Sequence, residues 1–303
     1  MPRIAFSTLS CPDWTWAEVL RNGTRCRFDG VEIRLLHRET DLLQLSEFRP
    51  GNLNTRRREL ADAGLKVCGL ASSVRFDYPT RKERDEQVDI GRAYVDLARE
   101  LGAGFVRVFG DVVPKNGAPA ERQSVMRHIA DGLDRLAEYA ATLERSILIE
   151  THGDFTSSVI MREMLEFVQH PAVGVLWDTH HPWRFFGEDP AETFERLGPW
   201  IRHTHWKDSV IRAERPVDDA VREAAEAAHK LMSGHQHADY VLFGEGEFPA
   251  SECMQLLTRA GYDGWYSLEW EKMWHPEIEG PEVVLPPFPE MLKTVWQAVQ
   301  SET

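Results

Sequence analysis

The segment "ILIETHGDF", residues 147–155, gives the clearest indication of the fold. Three aliphatic residues lead directly into Glu150, Thr151 and His152. A short apolar run of this kind predicts a buried strand. A carboxylate at the end of such a strand needs a partner, because an unpaired buried charge is costly. The stretch therefore predicts a strand that delivers Glu150 and His152 to a polar site.

Seven other apolar runs share this character, and helix-like segments separate them. The runs cover residues 3–8, 29–34, 66–72, 104–110, 173–179, 201–208 and 265–270. The helical segments cover 55–65, 81–103, 122–143, 157–168, 190–197, 251–264 and 289–300. Strands that alternate with helices eight times predict an α/β fold, a (β/α)8 TIM barrel, as a single domain over residues 1–303. A doubly wound open sheet is the alternative, but it normally has fewer strands, and no GxGxxG follows the first run.

One connection is much longer than the others. Residues 209–248 separate the seventh run from the helix before the eighth, and they include a charged, alanine-rich segment (215–232) that predicts a helix. Long insertions after a barrel strand lie over the C-terminal mouth, so we expect this one there. The "GEGE" segment, residues 244–247, predicts a tight backbone turn at the mouth. The alternative for the whole connection is a mobile surface loop.

Composition and charge exclude several classes of protein. The formal net charge of -14 makes nucleic acid a poor partner, because an acidic surface repels phosphates. No apolar stretch approaches the roughly 20 residues that cross a bilayer, and the N-terminal segment does not resemble a signal peptide. The four cysteines are scattered, which favours free thiols and a cytoplasmic location.

The late strands end in residues that suit a metal ion. The last polar residues of the fifth to eighth strands are Glu150, Asp178, His205 and Glu269. A lone acid at a strand end is more often a helix cap or an ion-pair partner, but four such residues on consecutive strands are harder to explain that way. In a (β/α)8 barrel the C-terminal ends of the strands converge on one mouth, so these residues would share a pocket. Three carboxylates in one pocket repel one another unless a cation lies among them. Three oxygen ligands and one nitrogen suit Mn²⁺, our expected ion, or Mg²⁺ or Co²⁺, whereas Zn²⁺ would favour more nitrogen or sulfur.

An ordered set of motifs carries a resemblance to a known family. The segments "LIETHGD", "WDTHH", "HTHWKD", "GEGE" and "SLEW", together with "GVEIR" near the N-terminus, resemble the sugar phosphate isomerase/epimerase family of xylose isomerase-like TIM barrels. The resemblance covers essentially the whole chain. Members of this family include ketose 3-epimerases, ketol isomerases, inosose and 3-dehydroshikimate dehydratases, and enzymes that eliminate an aglycone from oxidised C-glycosides.

The resemblance also implies roles for individual residues. It implies that the four strand-end residues bind the metal and that Glu150 and Glu269 act as an acid/base pair on opposite faces of the sugar. It further implies that His181 contacts the substrate or a metal-bound water, and His152 matches a Glu-x-His variant of the motif. His152 is then a candidate catalytic acid. Three more residues are expected to bind substrate, and these are Trp14, Lys207 and Glu245.

These observations predict a divalent-metal-dependent isomerase or epimerase of a sugar or sugar derivative that acts through an enediolate. A lyase on the same scaffold, either a dehydratase or an aglycone-eliminating enzyme, is the alternative, because both reactions start by removing a proton from carbon. The epimerases carry a Glu just after the seventh-strand histidine segment and an Arg soon after, where this chain has Lys207, Asp208 and, one place late, Arg212. The DNA-repair members use histidines from early strands, which are absent from the ends of the third and fourth strands here.

The expected partner is a small carbohydrate, with neither nucleic acid nor membrane. A non-catalytic barrel within a hetero-complex is a third hypothesis, and the full ligand set argues against it. We expect a homo-oligomer or a subunit of a hetero-complex, and the proline-containing segment 273–290 could serve as an interface or a lid.

Overall fold

Eight parallel strands close into a barrel in the computed structural model, which describes residues 1–114, 119–211 and 238–302. The barrel strands are β1 (Arg3–Ser7), β2 (Gly30–Ile33), β3 (Lys66–Arg75), β4 (Phe105–Phe109), β5 (Ser146–Glu150), β6 (Val173–Asp178), β7 (Ile201–Trp206) and β10 (Trp265–Leu268). They follow one another around the barrel in chain order, and β1 pairs with β10 to close it. The predicted (β/α)8 fold is confirmed and the open sheet is excluded.

The strands are apolar on both faces because a parallel barrel strand is covered by helices outside and by side chains inside. All six residues of β6 are buried, for example. Trp177 in β6 and Trp206 in β7 are fully buried, as expected for core tryptophans. The four cysteines are buried and free.

Helices follow the barrel strands. The described helices are α1 (Trp16–Arg25), α2 (Leu53–Ala63), α3 (Arg81–Leu101), α4 (Pro119–Thr142), α5 (Ser158–Leu165), α6 (His180–Phe186), α7 (Pro190–Leu197), α8 (Ala250–Arg259), α9 (Pro281–Val284) and α10 (Phe288–Glu302). Thr80 starts α3 with a capping box to Glu83, and Gly102 ends it with a left-handed φ of 74°. Across residues 1–114, 119–211 and 238–302, no helix has the length and apolarity that a membrane span requires.

The long connection between β7 and β10 is described only at its two ends. Strands β8 (Asp208–Val210) and β9 (Asp239–Val241) form an antiparallel pair. The tight turn lies two residues earlier than the predicted 244–247, over residues 242–245, where Glu245 N donates to Leu242 O at 2.9 Å and Gly244 has a φ of 87°. The helix predicted at 215–232 lies outside the described residues.

Asp208 joins the two ends of this connection. Its carboxylate accepts hydrogen bonds from the backbone N–H groups of Gly244, Gly246 and Phe248, each at 3.0 Å. The turn therefore packs directly on β8, at the end of the barrel where the parallel strands terminate.

Candidate active site

The carboxyl ends of four neighbouring strands bring the four predicted metal ligands together. Glu150, Asp178, His205 and Glu269 each offer one ligand atom, and these atoms lie within 4.8 Å of one another. All four side chains are buried. Asp178 and His205 are paired across β6 and β7, so the parallel register itself places them side by side. We call these residues the four-donor cluster.

His205 directs its Nδ1 atom into this cluster. Nδ1 lies 3.2 Å from Oε1 of Glu269 and 3.5 Å from Oε1 of Glu150. Within the described part of the chain, Nδ1 of His205 and Oε2 of Glu150 are both buried without a hydrogen bond of ordinary geometry. Burial works against protonation of His205, but Glu269 and Glu32 outweigh it and raise the pKa well above its usual range. The position favours positive charge, and the donor set fits a divalent cation.

Glu32 in β2 lies beneath the cluster and binds two histidines. One of its oxygens, Oε2, is 2.9 Å from Nε2 of His203, and both of its oxygens are 3.0 Å from Nε2 of His205. Sequence reasoning included Glu32 only as part of the "GVEIR" motif and assigned it no role. The available signal was an acid inside an apolar strand, where a charge requires a partner.

Lys207 lies on the other side of the cluster. Its Nζ is 2.6 Å from Oδ2 of Asp178, 2.7 Å from Oε2 of Glu269 and 2.7 Å from Oε1 of Glu271. The ammonium thus donates hydrogen bonds to Asp178 and Glu269 and forms an ion pair with Glu271. Sequence reasoning missed Glu271, although the alternation of a strand puts residues 269 and 271 on one face.

Arg107 in β4 is a second buried cation at the site. Its Nε lies 3.2 Å from Oε2 of Glu150, and both side chains are 2 % exposed. Burial alone would raise the pKa of Glu150, but the guanidinium of Arg107 and the His205 ring together outweigh it and lower the pKa. This arginine was also missed, although an arginine inside the apolar run "GFVRVFG" signals a buried acid nearby.

The roles expected for His152 and His181 stay predictions, and the structure places the centres of their two rings 6.0 Å apart. His152 is half-buried, and its Nδ1 is 3.0 Å from Oδ1 of Asp111. Burial acts to lower the pKa of His152, but Asp111 raises it overall. His181 Nε2 lies 3.5 Å from Oδ2 of Asp178 and 3.4 Å from Oε1 of Glu271.

Two other residues predicted to bind substrate are Trp14 and Glu245. Trp14 follows β1 and packs half-buried against the hydrophobic core. Glu245 is exposed at the end of the turn over residues 242–245. Substrate contacts for both stay predictions. The described end of the long connection instead contributes Tyr240, whose hydroxyl lies 3.1 Å from Oε1 of Glu271.

The fold agrees with comparisons to known proteins. Residues 20–286 match the family model described as "Xylose isomerase-like TIM barrel", and the chain belongs to that family. An inosose dehydratase of Geobacillus thermodenitrificans (strain NG80-2) is 27% identical over 245 residues, covering 76% of this chain and 78% of that protein. A 3-dehydroshikimate dehydratase of Bacillus anthracis is 27% identical over 184 residues, covering 60% and 62%.

An epimerase shares the fold at lower identity. The structure of an L-ribulose 3-epimerase superposes with a TM-score of 0.74 over 100% of this chain and 97% of that one, at 14% identity. The chain is therefore similar to lyases and to epimerases built on one scaffold. The relatives at higher identity are named as dehydratases, so the lyase alternative agrees with the comparisons better than the isomerase or epimerase expected first.

Proposed function

We propose that this chain is a divalent-metal-dependent lyase that eliminates water from a hydroxylated cyclic ketone. The observation that carries the proposal is the four-donor cluster at the carboxyl ends of the barrel strands, where three carboxylates and one imidazole nitrogen converge. The dehydratase relatives act on an inosose and on 3-dehydroshikimate, as their names state. The substrate class proposed here is their shared chemistry, a ring ketone with a hydroxyl two carbons from the carbonyl.

The asymmetry of the two glutamates favours elimination over epimerisation. An epimerase of the kind predicted from sequence needs both Glu150 and Glu269 to exchange protons with the substrate. Both glutamates are stabilised as carboxylates by a buried cation, Glu150 by Arg107 at 3.2 Å and Glu269 by Lys207 at 2.7 Å. Burial acts to raise both pKa values, but His205 and Lys207 hold the pKa of Glu269 well below its usual range, whereas the pKa of Glu150 is lowered less, so Glu150 is the stronger base of the two. Elimination needs a single base, together with an acid for the leaving hydroxyl.

In this reaction Glu150 acts as the base and His152 acts as the acid. Glu150 accepts the proton from the carbon next to the carbonyl, and the C–H electron pair forms the new C=C bond. His152 donates a proton to the hydroxyl on the next carbon, and this hydroxyl leaves as water when its C–O bond breaks. Asp111 holds His152 by its Nδ1, so Nε2 is the atom left to act on the substrate. A divalent cation in the cluster, for which Mn²⁺ is our choice, would supply Lewis acidity toward the carbonyl oxygen.

Mass spectrometry of the product in D₂O tests this function. The purified chain, stripped of metal and then supplied with Mn²⁺, is incubated with an inosose and with 3-dehydroshikimate. We expect a product lighter by the mass of water, formed only when the metal is added and lost in Glu150→Gln. Glu195→Gln, an exposed glutamate on α7, is the matched control and should remain active. An epimer of the substrate that carries deuterium but has lost no water would contradict the lyase and support the epimerase.

A further inference from the structure

Two carboxylates of the four-donor cluster also face a second group of donors. Asp178 and Glu269 belong to both, and His181 and Glu271 complete the second group. One ligand atom each from His181, Glu269 and Glu271 lies within 4.8 Å of the others. His181 Nε2 lies 3.5 Å from Oδ2 of Asp178. We call this arrangement of Asp178, His181, Glu269 and Glu271 the second cation position.

The two positions share carboxylates in the way that two-metal centres do. Glu269 directs Oε1 toward Nδ1 of His205, at 3.2 Å, and Oε2 toward the opposite side. Oδ2 of Asp178 lies between the two groups, 3.9 Å from Nδ1 of His205. Carboxylates that bridge neighbouring cations typically hold them about 3.5–4 Å apart.

The second position already contains a positive charge that belongs to the chain. Lys207 Nζ lies 2.6–2.7 Å from one oxygen each of Asp178, Glu269 and Glu271. The lysine is fully buried, so solvent does not screen these contacts. The ammonium has three carboxylate neighbours, which equals the number of its N–H donors.

From this geometry we propose that the ammonium of Lys207 takes the place of a second divalent cation. The centre of the native chain accordingly binds one divalent ion, in the four-donor cluster, and Lys207 neutralises the carboxylates that would otherwise hold another. Removing the ammonium leaves Asp178, Glu269 and Glu271 facing one another with no cation between them, beside His181. That arrangement repels itself strongly unless a second divalent ion enters. The inference rests on the proposed function only in assuming that the four-donor cluster binds a metal.

Metal stoichiometry in Lys207 variants tests the proposal directly, with Mn²⁺ alone as the probe. Metal-stripped chain is titrated with Mn²⁺, and bound ions are counted by elemental analysis after gel filtration. We expect about one ion per chain in the native protein and about two in Lys207→Met, which keeps an unbranched apolar stem but lacks the ammonium. Lys207→Gln is measured in parallel in case Lys207→Met does not fold, because its amide can still donate hydrogen bonds to the carboxylates. Lys207→Arg keeps the charge and should bind about one ion.

Electron paramagnetic resonance adds a readout that a purely structural role for Lys207 would not change. The native protein should show the hyperfine pattern of an isolated Mn²⁺, and Lys207→Met should show the broadened spectrum of two exchange-coupled ions. The double variant Lys207→Met/Glu271→Gln, which also loses a donor of the second position, should return to one ion.

The outcomes separate this inference from the proposed function. One ion in the native protein and still one in both Lys207→Met and Lys207→Gln would overturn the inference alone. Two ions in the native protein would also overturn it, because the ammonium of Lys207 would then not exclude a second divalent cation. A native protein that binds no Mn²⁺ would overturn the proposed metal centre, and the inference with it.

Discussion

Glu32 contacts the same nitrogen of His205 with both of its carboxylate oxygens, each 3.0 Å from Nε2. The contact determines the tautomer of the ring. A carboxylate that accepts from Nε2–H leaves Nδ1 as the free nitrogen, and Nδ1 is the atom that faces Glu150 and Glu269. Such carboxylate–histidine pairs orient metal-binding histidines and raise the basicity of the ligand nitrogen.

The first prediction concerns this pair. Glu32→Gln should weaken Mn²⁺ binding by about 10- to 100-fold, because the neutral amide no longer fixes the tautomer of His205. Isothermal titration calorimetry on metal-stripped protein measures the affinity, with the exposed Glu195→Gln as the control. An affinity equal to that of the native protein would show that Glu32 has no part in metal binding.

Asp111 provides the second prediction, because it holds the proposed acid. Asp111→Asn should lower kcat by at least about 10-fold, since the amide stabilises protonated His152 less well than the carboxylate does. Asparagine tolerates the left-handed backbone of this residue, whose φ is 55°, so the fold should be kept. Mn²⁺ affinity should stay unchanged. A loss of metal binding equal to the loss of kcat would mean that Asp111 supports the metal centre and not His152.

The turn after β9 provides the third prediction. A Cβ atom at Gly246 would lie 2.1 Å from Oδ1 of Asp208 and 2.7 Å from the backbone oxygen of Ser209. Gly246→Ala should therefore displace the carboxylate that binds the turn and cost about 1–3 kcal/mol of stability. Gly51→Ala is the matched control, because no described atom lies within 4 Å of its Cβ. Differential scanning calorimetry should show a lower Tm for the first variant alone, and equal values would refute the clash.

The fourth prediction is a pH dependence of the free energy of unfolding that arises from Asp77. Burial raises the pKa of Asp77 to about 6, although Arg75, 3.1 Å away, acts to lower it. The folded protein therefore binds this proton more tightly than the unfolded chain does. The contribution of the group to the free energy of unfolding is complete below about pH 4 and is lost as the pH rises to about 6.

Urea unfolding at several pH values checks this sign. Relative to Asp77→Asn, the native protein should lose stability between about pH 4 and pH 6 and show no further change above that window. Asp62→Asn removes an exposed carboxylate and controls for the change in net charge. A native protein that gains stability over Asp77→Asn with rising pH would contradict the assignment.

The barrel was predictable because each strand carries its own signal. Runs such as "SILIET" and "VGVLWD" are apolar on both faces, and only helices on the outside and side chains on the inside can bury them. The four-donor cluster followed from the same logic, since parallel strands end at one mouth. Helices α1 and α6 were not assigned from the sequence, and α6 is only seven residues long and directly follows β6.

The partners of the predicted ligands were not predictable in the same way. Glu32 and Arg107 meet the cluster only because strands far apart in sequence become neighbours or face one another across the closed barrel. Glu32 and His205, for example, are 173 residues apart. Lys207 was predicted to bind substrate, and that stays a prediction, but its three carboxylate contacts could not be inferred from the "HTHWKD" motif.

Anomalous diffraction from crystals of the chain soaked in Mn²⁺ locates the ion, and so decides whether the four-donor cluster is a metal site. We predict one strong peak within coordination distance of His205 Nδ1 and of oxygens from Glu150, Asp178 and Glu269. A peak elsewhere, or no peak among these four side chains at millimolar Mn²⁺, would contradict it.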